Sequence, residues 1–330
     1  MNRINSAKIV GVGNYFPKRV LTNYDLEKMV DTSDEWITTR TGIKERRIAD
    51  KNETVSDMAK EAAKVALKRA KLKPKEVELI IVATITGDMS FPSSACFVQA
   101  KIGAFNAAVF DISAACAGFI YGLAIANSLI VSGLYKNALL IGAEKLTCIT
   151  DWQDRNTCIL FGDGAGACVL KPAKNKDEGI ISSYLGGDGR EGNLLMLPGG
   201  GSYMPASHET VDKHLHYIKM KGSELFKVAI KKMTDASQIA LHKIGLTCKD
   251  VDLLVPHQAN IRIIKAVAKR LGLSEDKVYL NIRKYGNMSS ASTATALNDA
   301  ILEGRIKKGD IVVLTAFGGG LTWGAAVIKW

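Results

Sequence analysis

Three side chains in this 330-residue sequence have the types and surroundings needed for covalent catalysis at a carbonyl carbon. The first is Cys116, set among the small residues of SAACAGF. A β-rich run, AAVFDI, precedes it, and a segment apolar on nearly every face follows it to Gly133. That order predicts strand, tight turn and buried helix, with the sulfur at the helix N-terminus. There the aligned peptide dipoles favour a thiolate and lower the thiol pKa. An inert buried cysteine is the alternative, since free cysteine often packs as a small hydrophobe. The second is His257 in LLVPHQANIRII, just beyond a buried strand broken by Pro256. The carboxyl ends of strands are where α/β sheets bind ligands. A satisfied structural histidine at a loop start is its plain alternative. The third is Asn287 in KYGNMSSASTATAL, where a small-residue turn again leads into an Ala-rich helix. Its amide either supports the turn or donates to a reacting carbonyl. AFGGGLTWG, with Phe317 and Gly319, exposes backbone N–H groups that suit an oxyanion hole or simply a glycine hairpin.

The elements around these residues alternate. Strands are expected at KIVGVG, EVELIIVATIT and NALLIGAEKL, FGDGAGACVLKP reads as a Gly-rich turn leading into a strand with GIISSYLGGDG after it, a strong amphipathic helix covers 54–72, and another opens at FPSSACFVQAKIG. Ser33 or Thr32 is expected to cap a helix in DTSDEWITTRTGI. This is an α/β pattern with mostly parallel, buried strands. The second half echoes the first. KLKPKEVELIIV returns as GLTCKDVDLLV, and FGDGAGACVL returns as FGGGLTWGAAVI. Unequal spacing of the two pairs places an insertion in the first half, at LTCITDWQDRNTCI. A duplicated fold follows, with halves at 1–175 and 176–330, a pseudo-twofold axis and a site drawing on both.

Hydrophobic content is 47% and the formal net charge is +11. No apolar run predicts a membrane span, and the N-terminus has no signal-peptide core, so a cytoplasmic protein is expected. Six scattered cysteines form no CxxC pair and no zinc-spaced cluster, which argues against a disulfide framework or a metal site. The lysine-rich stretches are solvated faces or steer an anionic partner; no nucleic-acid motif accompanies them.

Taken together, SAACAGF, FGDGAGA, PHQAN, YGN-x-S-x-AS, FGGG-x-TWG and SDEWI-x-x-RTGI resemble the β-ketoacyl-acyl carrier protein synthase III family. The likeness runs from KIVGVGNYFP to the C-terminus. It implies a duplicated thiolase-like fold, layered α-β-α-β-α, and a homodimer. It also implies a decarboxylating condensation of a short acyl-coenzyme A, acetyl-coenzyme A foremost, with malonyl-acyl carrier protein, initiating fatty-acid synthesis. No cofactor is implied. The family's triad falls on Cys116, His257 and Asn287, and its oxyanion hole on the N–H groups of Cys116 and Gly319. Phe317 matches the aromatic that helps expel the carboxylate. Coenzyme A contacts fall on Trp36, Arg40, Arg155 and Asn260. Phe91 matches the residue that closes the partner subunit's acyl pocket. Arg262, Lys265, Lys269 and Arg270 match a docking face for acyl carrier protein. Two positions depart from the family pattern: Met288 stands where Thr is usual, and Ser223 where many relatives carry Asn. Rival readings are a same-fold condensing enzyme of secondary metabolism or olefin synthesis, and a non-catalytic acyl-binding subunit.

Overall fold

The computed structural model describes residues 5–175 and 178–330. The half boundary expected at 175/176 therefore adjoins residues outside the described ones, as does the start of the N-terminal stretch. The first sheet uses β1 (Ala7–Tyr15), β2 (Leu79–Ala83), β3 (Ala108–Ile112), β4 (Ala138–Lys145) and β5 (Asp163–Pro172). Its order is β1-β5-β4-β2-β3. The second uses β6 (Gly179–Gly187), β7 (Leu253–Pro256), β8 (Ile311–Gly318) and β9 (Thr322–Lys329), in the order β7-β8-β9-β6. A bridge between Leu254 and Val278 stands where a fifth strand would lie. The two sheets thus repeat one order, β1, β5, β4, β2, β3 against β6, β9, β8, β7 and the bridge.

The sheets are mixed, not mostly parallel. β4, β2 and β3 run parallel to one another, while β5 is antiparallel to β4 and to β1. In the second sheet only β7 and β8 are parallel. Parallel neighbours need a crossover element. β8 turns straight into β9 through residues 319–321, and the first half joins β4 to β5 through the excursion at 146–162, so both pairs come out antiparallel.

Seven helices position the site. α1 (Asp34–Thr41) is capped by Ser33, whose side chain accepts from the Trp36 N–H. α2 (Val55–Arg69) and α3 (Ser94–Ile102) cover the outer face of the first sheet. α4 (Gly118–Val131) lies between the sheets. α5 (Gly222–His242) and α6 (Ile261–Leu271) cover the outer face of the second sheet. α7 (Ser290–Leu302) joins α4 in the middle.

The strand sequences dictate this layering. In β2, Leu79 and Ile81 enter the central core, while Ile80 and Val82 enter the outer one. In β8, Leu314 points inward to the central core and Val313 outward. Strands buried on both faces carry apolar residues at every position, as LIIVA does. The central core adds Phe119, Ile120, Leu123 and Ile130 from α4 and Ala294, Leu297 and Ala300 from α7. The result is five layers, α-β-α-β-α, with both central helices starting toward one place.

Candidate active site

Both central helices begin in a small-residue turn that contains one left-handed residue. Ala115 has φ of 45° before α4, and Ser289 has φ of 46° before α7. A short 3₁₀ turn, Ala115–Ala117, leads into α4, so Cys116 sits in the first turn of the combined helix. The Cys116 N–H there has no backbone acceptor among the described residues, whereas the Ala117 N–H donates to Ala114 O at 3.1 Å. The turn is gripped from the other half. Thr322 Oγ1 donates to Ala114 O at 2.8 Å. A Cβ on Gly318 would lie 2.5 Å from Cys116 N, so only glycine allows β8 to approach this closely.

His257 follows β7 directly. Its N–H donates to Thr315 O at 2.8 Å, which fixes the backbone at the end of the parallel pair. The side chain is buried, and neither Nδ1 nor Nε2 has a hydrogen-bond partner among the described residues. Buried ring nitrogens without protein partners are rare, and these two are free to bond a group entering the cavity. Asn287 precedes α7. Its Oδ1 accepts from Ser289 N at 2.9 Å, which leaves Nδ2 as the free donor. The turn itself is pinned to the 146–162 excursion: Asn287 N donates to Leu160 O, and Gly162 N donates to Asn287 O.

Cys116, His257, Asn287, Ser289, Phe317, Gly319 and Asn260 all line one cavity of about 470 Å³. Its remaining wall is largely apolar, with Leu195, Met196, Leu197, Ile218, Met220, Leu225 and Phe226 from the stretch around the start of α5. That size and lining suit a small apolar group with a few fixed polar contacts.

Electrostatics correct one expectation. The helix terminus predicts a lowered thiol pKa for Cys116. Burial instead pushes it up to about 12, with the Glu144 carboxylate adding to the rise and the Ser289 hydroxyl opposing it. Desolvation is the largest cause, because the sulfur is buried in an apolar cavity. Burial also lowers His257 to about 3. Burial thus favours the uncharged form of both side chains that share this cavity, the Cys116 thiol and the neutral His257 imidazole.

The expected outer contacts gather at one edge. Two guanidinium groups approach the Trp36 ring, Arg155 at 4.9 Å and Arg40 at 5.7 Å from its centroid. Asn260 Nδ2 donates to Arg40 O at 3.0 Å, which links this cluster to the cavity wall. Arg155 is also paired with Asp31 at 3.2 Å. Phe91 does not line this chain's cavity; it is 84% exposed. Arg262, Lys265, Lys269 and Arg270 are exposed on α6. Arg262 stacks over Phe226, and Lys265 pairs with Glu275 at 2.9 Å.

Family models described as 3-oxoacyl-(acyl-carrier-protein) synthase III and as its C-terminal region match residues 110–189 and 241–330. The chain is 60% identical over 325 residues to the beta-ketoacyl-(acyl-carrier-protein) synthase III of Caldanaerobacter subterraneus subsp. tengcongensis, covering 98% of each chain. It is 56% identical to the protein of the same name from Clostridioides difficile, again over 98% of each. The crystal structure of the Aquifex aeolicus 3-oxoacyl-(acyl-carrier-protein) synthase III superposes with a TM-score of 0.91 at 52% identity, covering 98% of this chain and 100% of that one. The chain belongs to the β-ketoacyl-acyl carrier protein synthase III family. A priming β-ketosynthase of the R1128 polyketide pathway is also similar, at 34% identity and a TM-score of 0.91.

Two departures from the synthase III pattern find places. Met288 is fully buried, and a Cβ on Gly164 would lie 2.7 Å from its sulfur, so it packs against the FGDGAGA strand. Ser223 is exposed and outside the cavity wall, although its neighbours Gly222 and Leu225 belong to it. Sequence reasoning missed Ser289 and Glu144. Glu144 is fully buried and accepts from Thr84 Oγ1, Ile85 N, Thr86 Oγ1 and Ser290 Oγ. A single acidic residue closing the apolar run ALLIGAE was the available signal.

Proposed function

We propose that this chain condenses a short acyl-coenzyme A, acetyl-coenzyme A foremost, with malonyl-acyl carrier protein to give 3-oxoacyl-acyl carrier protein. The observation that carries the reading is the convergence of Cys116, His257 and Asn287 on one apolar cavity, from two halves of the fold. Cys116 attacks the acyl thioester, and the N–H groups of Cys116 and Gly319 receive the oxyanion. Coenzyme A leaves and malonyl-acyl carrier protein enters. His257, held neutral by burial, donates one ring N–H to the malonyl thioester oxygen while Asn287 Nδ2 supplies the second hydrogen bond. Carbon dioxide departs from beside Phe317, and the resulting carbanion attacks the acyl-cysteine. No step calls for a metal or redox cofactor.

The Trp36–Arg40–Arg155 cluster and Asn260 are assigned to coenzyme A, with the indole against adenine and the guanidinium groups against phosphate. The basic face of α6 is assigned to acyl carrier protein. Residues 1–175 and 176–330 are the two halves of the duplication. A homodimer is proposed, in which exposed Phe91 reaches the partner's acyl pocket.

Incubation with labelled acetyl-coenzyme A tests the reading. One acetyl group is expected on Cys116 and none in Cys116→Ser. Label on Cys148, the exposed thiol, or persistence of label in the variant would refute the assignment.

A further inference from the structure

The cluster assigned to coenzyme A stands on neither main sheet. Trp36 and Ile37 of α1 pack with Cys158 and Ile159 of the 146–162 excursion in a small apolar cluster of their own. Leu21 and Ile48 complete it from a two-stranded ribbon, Arg19–Thr22 against Glu45–Ile48. A fully buried arginine, Arg46, sits where these pieces meet. Its hydrogen-bond partners among the described residues are all neutral oxygens. Nη1 donates to Leu21 O at 3.2 Å and to Asn23 Oδ1 at 2.9 Å, and Nη2 donates to Ile159 O at 2.6 Å. Taking a cation out of water among neutral groups is unfavourable, and an apolar side chain would fill the same space without that penalty. What the guanidinium adds is a rigid fork that reaches several segments at once.

Each bond leads to a different part of the cluster. Leu21 O belongs to the ribbon. Asn23 passes the contact on, because its Nδ2 donates to Asp34 Oδ1 at 2.9 Å and to Ile43 O at 2.8 Å. Asp34 is the first residue of α1, the helix that carries Trp36 and Arg40. Ile159 caps the helical turn Arg155–Cys158, so its carbonyl fixes the turn that carries Arg155. The stem of Arg46 has a separate task. A Cβ on Gly162 or on Gly286 would lie 3.0 Å or 3.3 Å from Arg46 Cβ, so the turn that bears Asn287 packs against this stem. That packing needs only Cβ, whereas the three bonds need the guanidinium.

We infer that Arg46 is the positioning residue of the coenzyme A site. Its guanidinium holds α1 and the Arg155 turn at the separation that lets Trp36, Arg40 and Arg155 receive one nucleotide. It touches no substrate itself. The inference rests on the assignment of that cluster to coenzyme A. Its neighbours do not share the task. Arg47 donates to Pro17 O at 3.4 Å and lies over the Tyr285 ring, away from the cluster. Lys44 pairs with Asp34 at 2.7 Å and so holds α1 without reaching the excursion. Arg46 therefore matters for a thioester that carries the nucleotide and not for one that lacks it.

The test compares two acetyl donors, acetyl-coenzyme A and acetyl-N-acetylcysteamine, which has the thioester without the nucleotide. Single-turnover acetylation of Cys116 is followed against donor concentration in wild type, Trp36→Ala, Arg46→Gln, Arg46→Lys and Asn23→Ser. Arg46→Gln keeps the Cβ and should raise the half-saturating concentration of acetyl-coenzyme A about tenfold, with the short thioester within about twofold of wild type. Arg46→Lys should fall between, since an ammonium cannot reproduce the fork. Asn23→Ser cuts only the arm to α1 and should weaken acetyl-coenzyme A in the same selective way, which decides the matter should Arg46→Gln fail to fold. An unfolded fraction lowers the saturated rate with both donors and leaves half-saturation unchanged, so it cannot imitate this result. Equal effects on both donors, or wild-type half-saturation by acetyl-coenzyme A, overturn the positioning role. If Trp36→Ala is selective while the Arg46 and Asn23 variants are not, that role falls and the coenzyme A assignment stands. If Trp36→Ala does not distinguish the donors, the cluster is not the coenzyme A site and both fall.

Discussion

In the proposed cycle His257 and Cys116 divide the chemistry between two side chains whose uncharged forms burial favours. His257→Ala should retain acetylation of Cys116 but lose about a hundredfold or more in malonyl decarboxylation, because it removes one donor to the developing enolate. Loss of acetylation alone in that variant would show the roles reversed. Burial also makes His257 report on stability. Its pKa falls from 6.5 to about 3 in the folded chain. Between those values the unfolded chain binds a proton that the folded chain refuses, so stability falls as pH falls through that window. Above it the contribution is complete. Wild type should therefore lose melting temperature faster than His257→Asn as pH drops from 7 toward 4. Parallel curves would mean that the ring is hydrated in solution.

At the scale of elements, the approach of β8 to the start of α4 is the tightest constraint on the site. Gly318→Ala would drive a Cβ into Cys116 N, 2.5 Å away. A displacement of the turn by about 1 Å should cost about a hundredfold in acetylation rate, with a smaller change in coenzyme A affinity. Retention of full rate would mean that β8 retreats without moving the sulfur. The basic face of α6 makes a separate prediction. Arg262 stacks on Phe226, a cavity residue, so charge reversal there would disturb the cavity as well. Lys265→Glu with Lys269→Glu leaves that ring alone. The pair should raise KM for malonyl-acyl carrier protein roughly tenfold at low salt and leave acetylation by acetyl-coenzyme A nearly unchanged. The difference should shrink as salt rises. An equal loss in both half-reactions would point to misfolding or to coenzyme A binding.

For the whole molecule, the exposed aromatics are informative. Phe91 is 84% exposed and Phe105 is 73% exposed, near Met89 and the edge strand β3 in the first half. Unpaired strand edges flanked by exposed aromatics mark association sites. Sedimentation should give twice the chain mass, and Phe105→Glu should shift the protein toward monomer. A wild-type monomer at micromolar concentration would remove Phe91 from the acyl pocket. Among the described residues, no helix is long and apolar enough to cross a membrane.

Local sequence determined the elements. The apolar run behind Cys116 gave a central helix, LIIVA gave a strand buried on both faces, and Ser33 gave a helix cap. The repeated motifs disclosed the duplication, because each half must bury the same faces. Motif order also picked out Cys116, His257 and Asn287, since small residues, a strand-ending proline and a glycine turn leave local marks. Strand direction was not legible in this way. It depends on whether a connection crosses over or turns back, and the excursion at 146–162 reads the same either way. The Cys116 pKa was read with the wrong sign, because a helix terminus is local while desolvation is set by the walls of the cavity. Ser289 and Glu144 lie far apart in sequence, and neither carries a motif of its own. Only tertiary packing sets Ser289 in one cavity wall with Cys116 and ties its neighbour Ser290 to Glu144.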